Sequence, residues 1–306
     1  MHSPETVRKL LCALGDHLRE IVIESWGTDM SSIAGVTSAD TIYEIDRITD
    51  DALVTWFEQF WPDVVLVSEG LEHPVAIGRE PAWAVIVDTV DGTRGLMYGK
   101  RPAWSLAAAA PIGGSLEDVV AAAMTELPTP KQAFGDQLSA GPSGPILAHR
   151  VNLQNQEVTP LKERPSTASD LEHGFAGLVK FFPAGKVELA AIESELFVRL
   201  GSHTVFDDQY ISSGGQLYEL ITGRTRFVAD LRPLVAPDSL ACHPYDICTA
   251  MLLERAGGVV TDPWGAPLRI PLDTTTPVGW VGYANRILAE TIAPELAGVL
   301  RDRLGR

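Results

Sequence analysis

Apolar residues recur at helical spacing from the start of the chain, where Val7, Leu10, Leu11, Leu14, Leu18 and Ile21 line one face of a first amphipathic helix. A second helix is predicted over 40–60, with Ile45, Ile48, Ala52, Leu53, Phe57 and Phe60 on its apolar side. The period then changes. Val64 to Val67 and Val85 to Val87 are short continuous apolar runs, as in strands covered on both faces. From Ala103 to Glu126 the chain is apolar with Gly113-Gly114 as a turn, which predicts antiparallel strands facing a helical layer. The stretch 127–175 is rich in Pro, Ser and Gly and predicts loops, including the passage between two halves. After it come a strand at 177–183, a helix at 187–200, a strand at 204–206, a helix at 213–221 and a strand at 225–230. A helix running from Asp246 to the Gly257-Gly258 stop and a closing helix at 285–304 complete the pattern. The residues thus predict a mixed class, with an α+β N-terminal half (1–174) packed on an α/β C-terminal half (175–306).

Two of the predicted strands end in acids. The run ending Asp88-Thr-Val-Asp91-Gly92-Thr93 delivers two carboxylates, a glycine and a threonine at a strand end, where ligands bind in α/β folds. Carboxylates three residues apart across a turn can share a hard divalent cation, and Gly92 lets backbone approach an anion. Asp-Gly is also an ordinary turn dipeptide, but at residue usages of roughly 5–7% the six-residue pattern arises by accident only about once in 10^5 positions. Glu69, at the end of the preceding strand, reads either as a second acid of the same site or as a solvated strand-end residue. Asp246 reads either as a ligand or as a helix cap.

Taken in order, Ser68-Glu69, then Asp88 to Thr93, then Tyr245-Asp246 leading to Ala256-Gly257-Gly258, resemble the signature of the inositol monophosphatase superfamily. The resemblance covers most of the chain from about Leu10 onward. Two positions depart from it, Thr89 where the family usually has proline and Tyr245 where it usually has tryptophan. The resemblance implies an αβαβα layered sandwich of the inositol monophosphatase and fructose-1,6-bisphosphatase type, with the site between the halves. It implies a Mg2+-dependent phosphomonoesterase with two or three ions, a small phosphorylated substrate and a homodimer. Glu69, Asp88 and the Val90 carbonyl would hold the first ion, and Asp88, Asp91 and Asp246 the second. Thr93, with Glu69 and Asp46, would orient the attacking water, although Asp46 taken alone is an ordinary acid of a solvated helix face. The N–H groups of Gly92 and Thr93 would cradle the phosphate. For the rest of the substrate the matching residues are Asp91, Ser213, Asp230 and Arg232, where Arg232 would meet a second phosphate or pair with Asp230 itself.

Composition narrows the function further. The 306 residues are 45% hydrophobic and 21% charged, enough for a substantial core. A formal net charge of −16 argues against nucleic-acid polymers and anionic membranes as partners, so a substrate phosphate must be met by metal. Three cysteines with no C-x-x-C pair indicate neither a disulfide framework nor a zinc site. With no basic, apolar leader and no run of membrane-spanning length, the expectation is a cytoplasmic protein. A sugar or inositol phosphate is the expected substrate class. Arg94-Gly95 points instead toward a nucleotide 3′-phosphatase, and a metal-binding regulatory protein of the same fold would be expected to lack Glu69, Asp91 or Thr93, all of which are present.

Overall fold

The computed structural model describes residues 2–27, 32–36, 41–71, 73–162 and 164–305. Helix α1 (Pro4–Glu24) precedes a pair of short antiparallel strands, β1 (Ile33–Val36) and β2 (Thr41–Tyr43), and helix α2 (Glu44–Phe60). Strands β3 (Val64–Ser68), β4 (Val75–Ile77) and β5 (Trp83–Asp91) lead to the short helix α3 (Thr93–Met97). Five strands follow: β6 (Ala103–Pro111), β7 (Ala121–Leu127), β8 (Phe134–Ala140), β9 (Leu147–Asn152) and β10 (Val158–Pro160). The remainder alternates as β11 (Gly174–Leu178), α4 (Lys186–Arg199), β12 (Val205–Phe206), α5 (Ser213–Ile221), β13 (Thr225–Asp230), α6 (Arg232–Val235), α7 (Pro244–Ile247), α8 (Met251–Ala256), β14 (Val259–Thr261), β15 (Trp280–Tyr283) and α9 (Arg286–Leu304).

An eight-stranded sheet runs in the order β10-β9-β8-β7-β6-β5-β3-β4, and a five-stranded sheet in the order β12-β11-β13-β15-β14. Helices α1 and α2 cover the outer face of the large sheet, where Leu11, Leu14, Leu53 and Phe57 join Val85, Val87, Ala107 and Ala109 in one core. Its inner face supplies Ile86, Leu106 and Leu138 to a second core shared with Leu217, Leu253 and the small sheet's Val281. Helices α4 and α9 close the far side against β11 and β15. The result is the expected αβαβα sandwich. Both faces of β5 are therefore covered, which is why all nine of its residues are buried and no alternation survives in its sequence. Small residues set the spacing on the outer face. Beside the alanines of β6 and β7, α1 comes so close that a Cβ on Gly15 would lie 2.1 Å from Thr125 Oγ1.

Several expectations need correction. Helix α2 begins at Glu44, after a strand, rather than at Asp40, which lies outside the described residues, and Phe60 is 54% exposed rather than on the buried side. The segment expected as loops, 127–175, carries β8, β9 and β10, which extend the large sheet. Its pattern misleads because β8 buries polar residues. Asp136 and Gln137 are each 2% exposed. Asp136 accepts a bidentate pair of hydrogen bonds from Arg150 (2.7 and 2.8 Å) and one from the Tyr218 hydroxyl, so buried charge replaces buried hydrocarbon. The strand expected at 177–183 lies at 174–178, and the helix expected from Asp246 onward is broken at 248–250 into α7 and α8. No helix among the described residues is long and apolar enough to cross a membrane.

Tyr218 is a link between α5 and the large sheet, since its hydroxyl donates to Asp136 while Arg224 lies over its ring at 4.8 Å. Replacing Tyr218 with Phe leaves the packing but removes a hydrogen bond to a buried carboxylate. The expected loss is about 2 kcal/mol of unfolding free energy, measured by urea denaturation.

Candidate metal centre

Strand β3 pairs with β5 in parallel, Ser68 opposite Val87, so both strands deliver their terminal acids to the same edge of the sheet. On a regular strand, residues three apart face opposite sides. Asp88 and Asp91 escape this rule because the β5–β6 register shifts between them, an irregularity that turns both carboxylates toward the inner layer. The strand thus runs through Asp91, and the turn begins only at Gly92, whose φ of 98° and proximity to Ser212, 3.0 Å from a built Cβ, admit no other residue without strain. Asp246 arrives from the other side on α7. Oxygens of Asp88, Asp91 and Asp246 all lie within 4.8 Å of one another.

Each acid is fixed by donors. Asp88 accepts from the Val90 N–H at 3.1 Å. Asp91 accepts from the Ser212 hydroxyl at 2.8 Å and from the Ser213 and Gly214 N–H groups at 3.3 and 2.5 Å, the open N-terminus of α5. Asp246 accepts from the His243 N–H at 2.6 Å and is the third residue of α7, with His243 as the N-cap. Asp246 therefore closes a capping box from the third helical position, with His243 rather than Asp246 as the cap itself, and also faces the cluster. Tyr245 is buried beside it, with its hydroxyl 3.2 Å from His243 Nδ1.

Electrostatics follow from this crowding. Burial raises the pKa of Asp88 well above the carboxylate range, and the charges of Glu69, Asp91 and Asp246 push the same way. Asp246 is raised by burial and by Asp91. Burial lifts Asp91 to about 6, against the opposing pull of its three donors. Such a set is suited to a cation: it offers only oxygen ligands, is mutually repulsive and contains no His or Cys to favour zinc.

Around the cluster, the expected residues divide. Thr93 Oγ1 is 2.8 Å from the Val90 carbonyl and 2.9 Å from Asp46 Oδ1, so Asp46 does reach the threonine while its other oxygen accepts from the Tyr43 N–H. Glu69 stands in the exposed turn after β3, outside the group of three but close enough for its charge to act on Asp88. Ser213 turns its hydroxyl to Cys242 Sγ at 3.8 Å. Asp230 and Arg232 are both buried and bound to each other, Nη2 to Oδ2 at 2.6 Å and Nε to Oδ1 at 2.9 Å, with the guanidinium 4.9 Å from the Phe181 ring centroid. Arg94 lies over the Tyr43 ring at 5.5 Å. Sequence reasoning missed the roles of Thr49 and Asp50. Thr49 and Asp50 both reach Thr89, at 3.2 and 3.0 Å, and the only sequence signal for them was their place one turn after Asp46.

Comparison with known proteins gives the family and the fold. The model of the inositol monophosphatase family matches residues 3–301. Among solved structures, the chain is similar to the extragenic suppressor protein suhB from Bartonella henselae (16% identity, 95% of this chain and 98% of that one, TM-score 0.69). It is similar also to a putative sedoheptulose-1,7 bisphosphatase from Toxoplasma gondii (12% identity, 97% and 96%, TM-score 0.74). A third is the fructose-1,6-bisphosphatase of Leishmania major (15% identity, 97% and 92%, TM-score 0.66). No curated protein matches the sequence.

Two predictions follow from the carboxylates. In metal-free protein, Asp91 at about 6 and Asp50, lifted by burial to about 7, bind protons more tightly folded than unfolded. Their stability contribution is present below the unfolded value of about 4 and is lost as pH rises through about 6 to 7, so melting temperature in EDTA should fall across that window. Saturating Mg2+ should flatten the fall. Separately, Asp246→Asn retains an oxygen for the His243 N–H and removes a repelling charge, so it should not lower the melting temperature of the metal-free protein, while calorimetry should show Mg2+ binding weakened by more than about tenfold.

Proposed function

The chain belongs to the inositol monophosphatase family, and on that premise we propose that it is a Mg2+-dependent phosphatase of small sugar or inositol phosphates. Its class is that of the family, a phosphoric monoester hydrolase. The observation that carries the finer reading is the convergence of Asp88, Asp91 and Asp246 within 4.8 Å beside a threonine already bonded to Asp46. We assign Asp88, Asp91 and Asp246 to one ion, and Glu69, Asp88 and the Val90 carbonyl to another. Bound divalent ions supply a water of lowered pKa and neutralise charge on the phosphate.

The chain's own groups then have separate tasks. Thr93 and Asp46, with Glu69, orient the water. The N–H groups of Gly92 and Thr93 receive phosphate oxygens, and Ser213 acts by holding Asp91. Arg232, with its charge held by Asp230 and its guanidinium over the Phe181 ring, is assigned to an anionic or hydroxyl-rich part of the substrate. The sugar reading is favoured by the names of two neighbours, both sugar bisphosphatases. Arg94, already engaged with Tyr43, gives no support to the nucleotide reading. We further assign the division between halves to 174/175 and the assembly to a homodimer, for which light scattering is the measurement.

A panel of sugar, inositol and nucleotide phosphates, assayed for released phosphate with Mg2+, should give turnover on the first two classes. EDTA should abolish it, and Li+ or Ca2+ should inhibit it. Asp88→Asn should retain less than about a tenth of the activity with the fold intact. Full activity after EDTA and dialysis would reject the metal reading.

A further inference from the structure

Strand β5 presents its residues alternately to the two layers, and Thr89 faces away from the Asp88 side, toward α2. There its hydroxyl donates to Asp50 Oδ1 at 3.0 Å and lies 3.2 Å from the Thr49 hydroxyl, which also bonds the Ile45 and Asp46 carbonyls within its own helix. The second oxygen of Asp50 rests on the other strand's exit: a Cβ built at Gly70 would lie 1.8 Å from Asp50 Oδ2, so carboxylate and turn are packed closely together. One turn earlier on the same face of α2, Asp46 reaches Thr93. One helix face thus touches the turn carrying Glu69, the middle of the Asp88–Asp91 segment and the threonine that follows it. The resemblance gives proline as the usual residue at position 89, and proline has no hydroxyl to make this link.

We propose that Asp50 is a positioning residue of the metal centre, which through Thr89 and the Gly70 turn holds the ends of β3 and β5 in register with α2 and Asp46. It touches no substrate and acts through the residues it places. The proposal rests on the Mg2+ reading above.

The test is Mg2+ alone, titrated calorimetrically into the full chain, with thermal melting alongside. Asp50→Ala removes the acceptor, and Thr89→Val removes the donor at constant shape. Each should weaken Mg2+ binding by about tenfold or more, as loss of a ligand's support commonly does. Asp50→Asn and Thr89→Ser, which keep acceptor and donor, should retain most of the affinity. The double variant Asp50→Ala/Thr89→Val should bind no worse than the weaker single, because both cut the same bond. Folded Asp50→Ala and Thr89→Val proteins that bind Mg2+ like the unaltered chain would overturn the proposal. So would a loss that merely follows the unfolded fraction and disappears on cooling. Failure of the unaltered chain to bind Mg2+ would instead remove the metal reading, and the proposal with it.

Discussion

Three carboxylates brought within 4.8 Å of one another in a buried layer are the constraint around which the rest is arranged. At about 4 Å and an effective dielectric of about 20, each pair of unit charges repels by about 4 kcal/mol, so no chain adopts this arrangement without compensation. The compensation comes from backbone N–H groups. Asp91 takes the N-terminus of α5, Asp246 takes the N–H of its own N-cap, and Asp88 takes Val90. These donors hold the oxygens in place without neutralising them, and the remaining charge is what a cation would meet.

The same constraint explains why the two sheets must pack before the site exists. Asp88 and Asp91 end a strand of the large sheet, whereas Asp246 and the α5 N-terminus come from the segment that builds the small one. Close approach depends on small residues. A Cβ on Gly214 would lie 2.5 Å from a Leu106 methyl and 3.0 Å from Asp91 Oδ2, so the helix end meets Leu106 and the carboxylate with no room to spare. Away from the site, polar links tie the layers: Trp104 Nε1 donates to the Tyr210 hydroxyl at 3.1 Å, and the Tyr218 hydroxyl reaches Asp136. Rigidity at the carboxylates is thus inherited from contacts well behind them.

What could be read from the chain follows from how local each signal is. The Asp88 to Thr93 motif was legible because one short segment carries it, and the mixed class because helical periods and continuous apolar runs alternate along most of the chain; the sandwich itself came only from the family resemblance that the motif carries. The register shift that turns Asp91 inward leaves no mark of its own, since it depends on the partner strand. Strand β8 was hidden by buried charge: Asp136 needs Arg150 and Tyr218 from other elements before it can be inside. For Arg232 the sequence left open a second phosphate or Asp230 itself; the structure shows the pair with Asp230, both residues being buried. The role of Asp50 leaves no local mark because its partners, Thr89 and Gly70, lie on two other elements.

Thr93 shows how these fixed contacts shape chemistry at the centre. Its hydroxyl has one proton and two acceptors, the Val90 carbonyl at 2.8 Å and Asp46 Oδ1 at 2.9 Å. Whichever takes the proton, the Thr93 oxygen keeps lone pairs to accept a further hydrogen bond. The other oxygen of Asp46 is tied to the Tyr43 N–H, which fixes the carboxylate against Thr93. The contact between Asp46 and Thr93 is therefore set by the helix start, and helix α2 contributes to the site through where it begins.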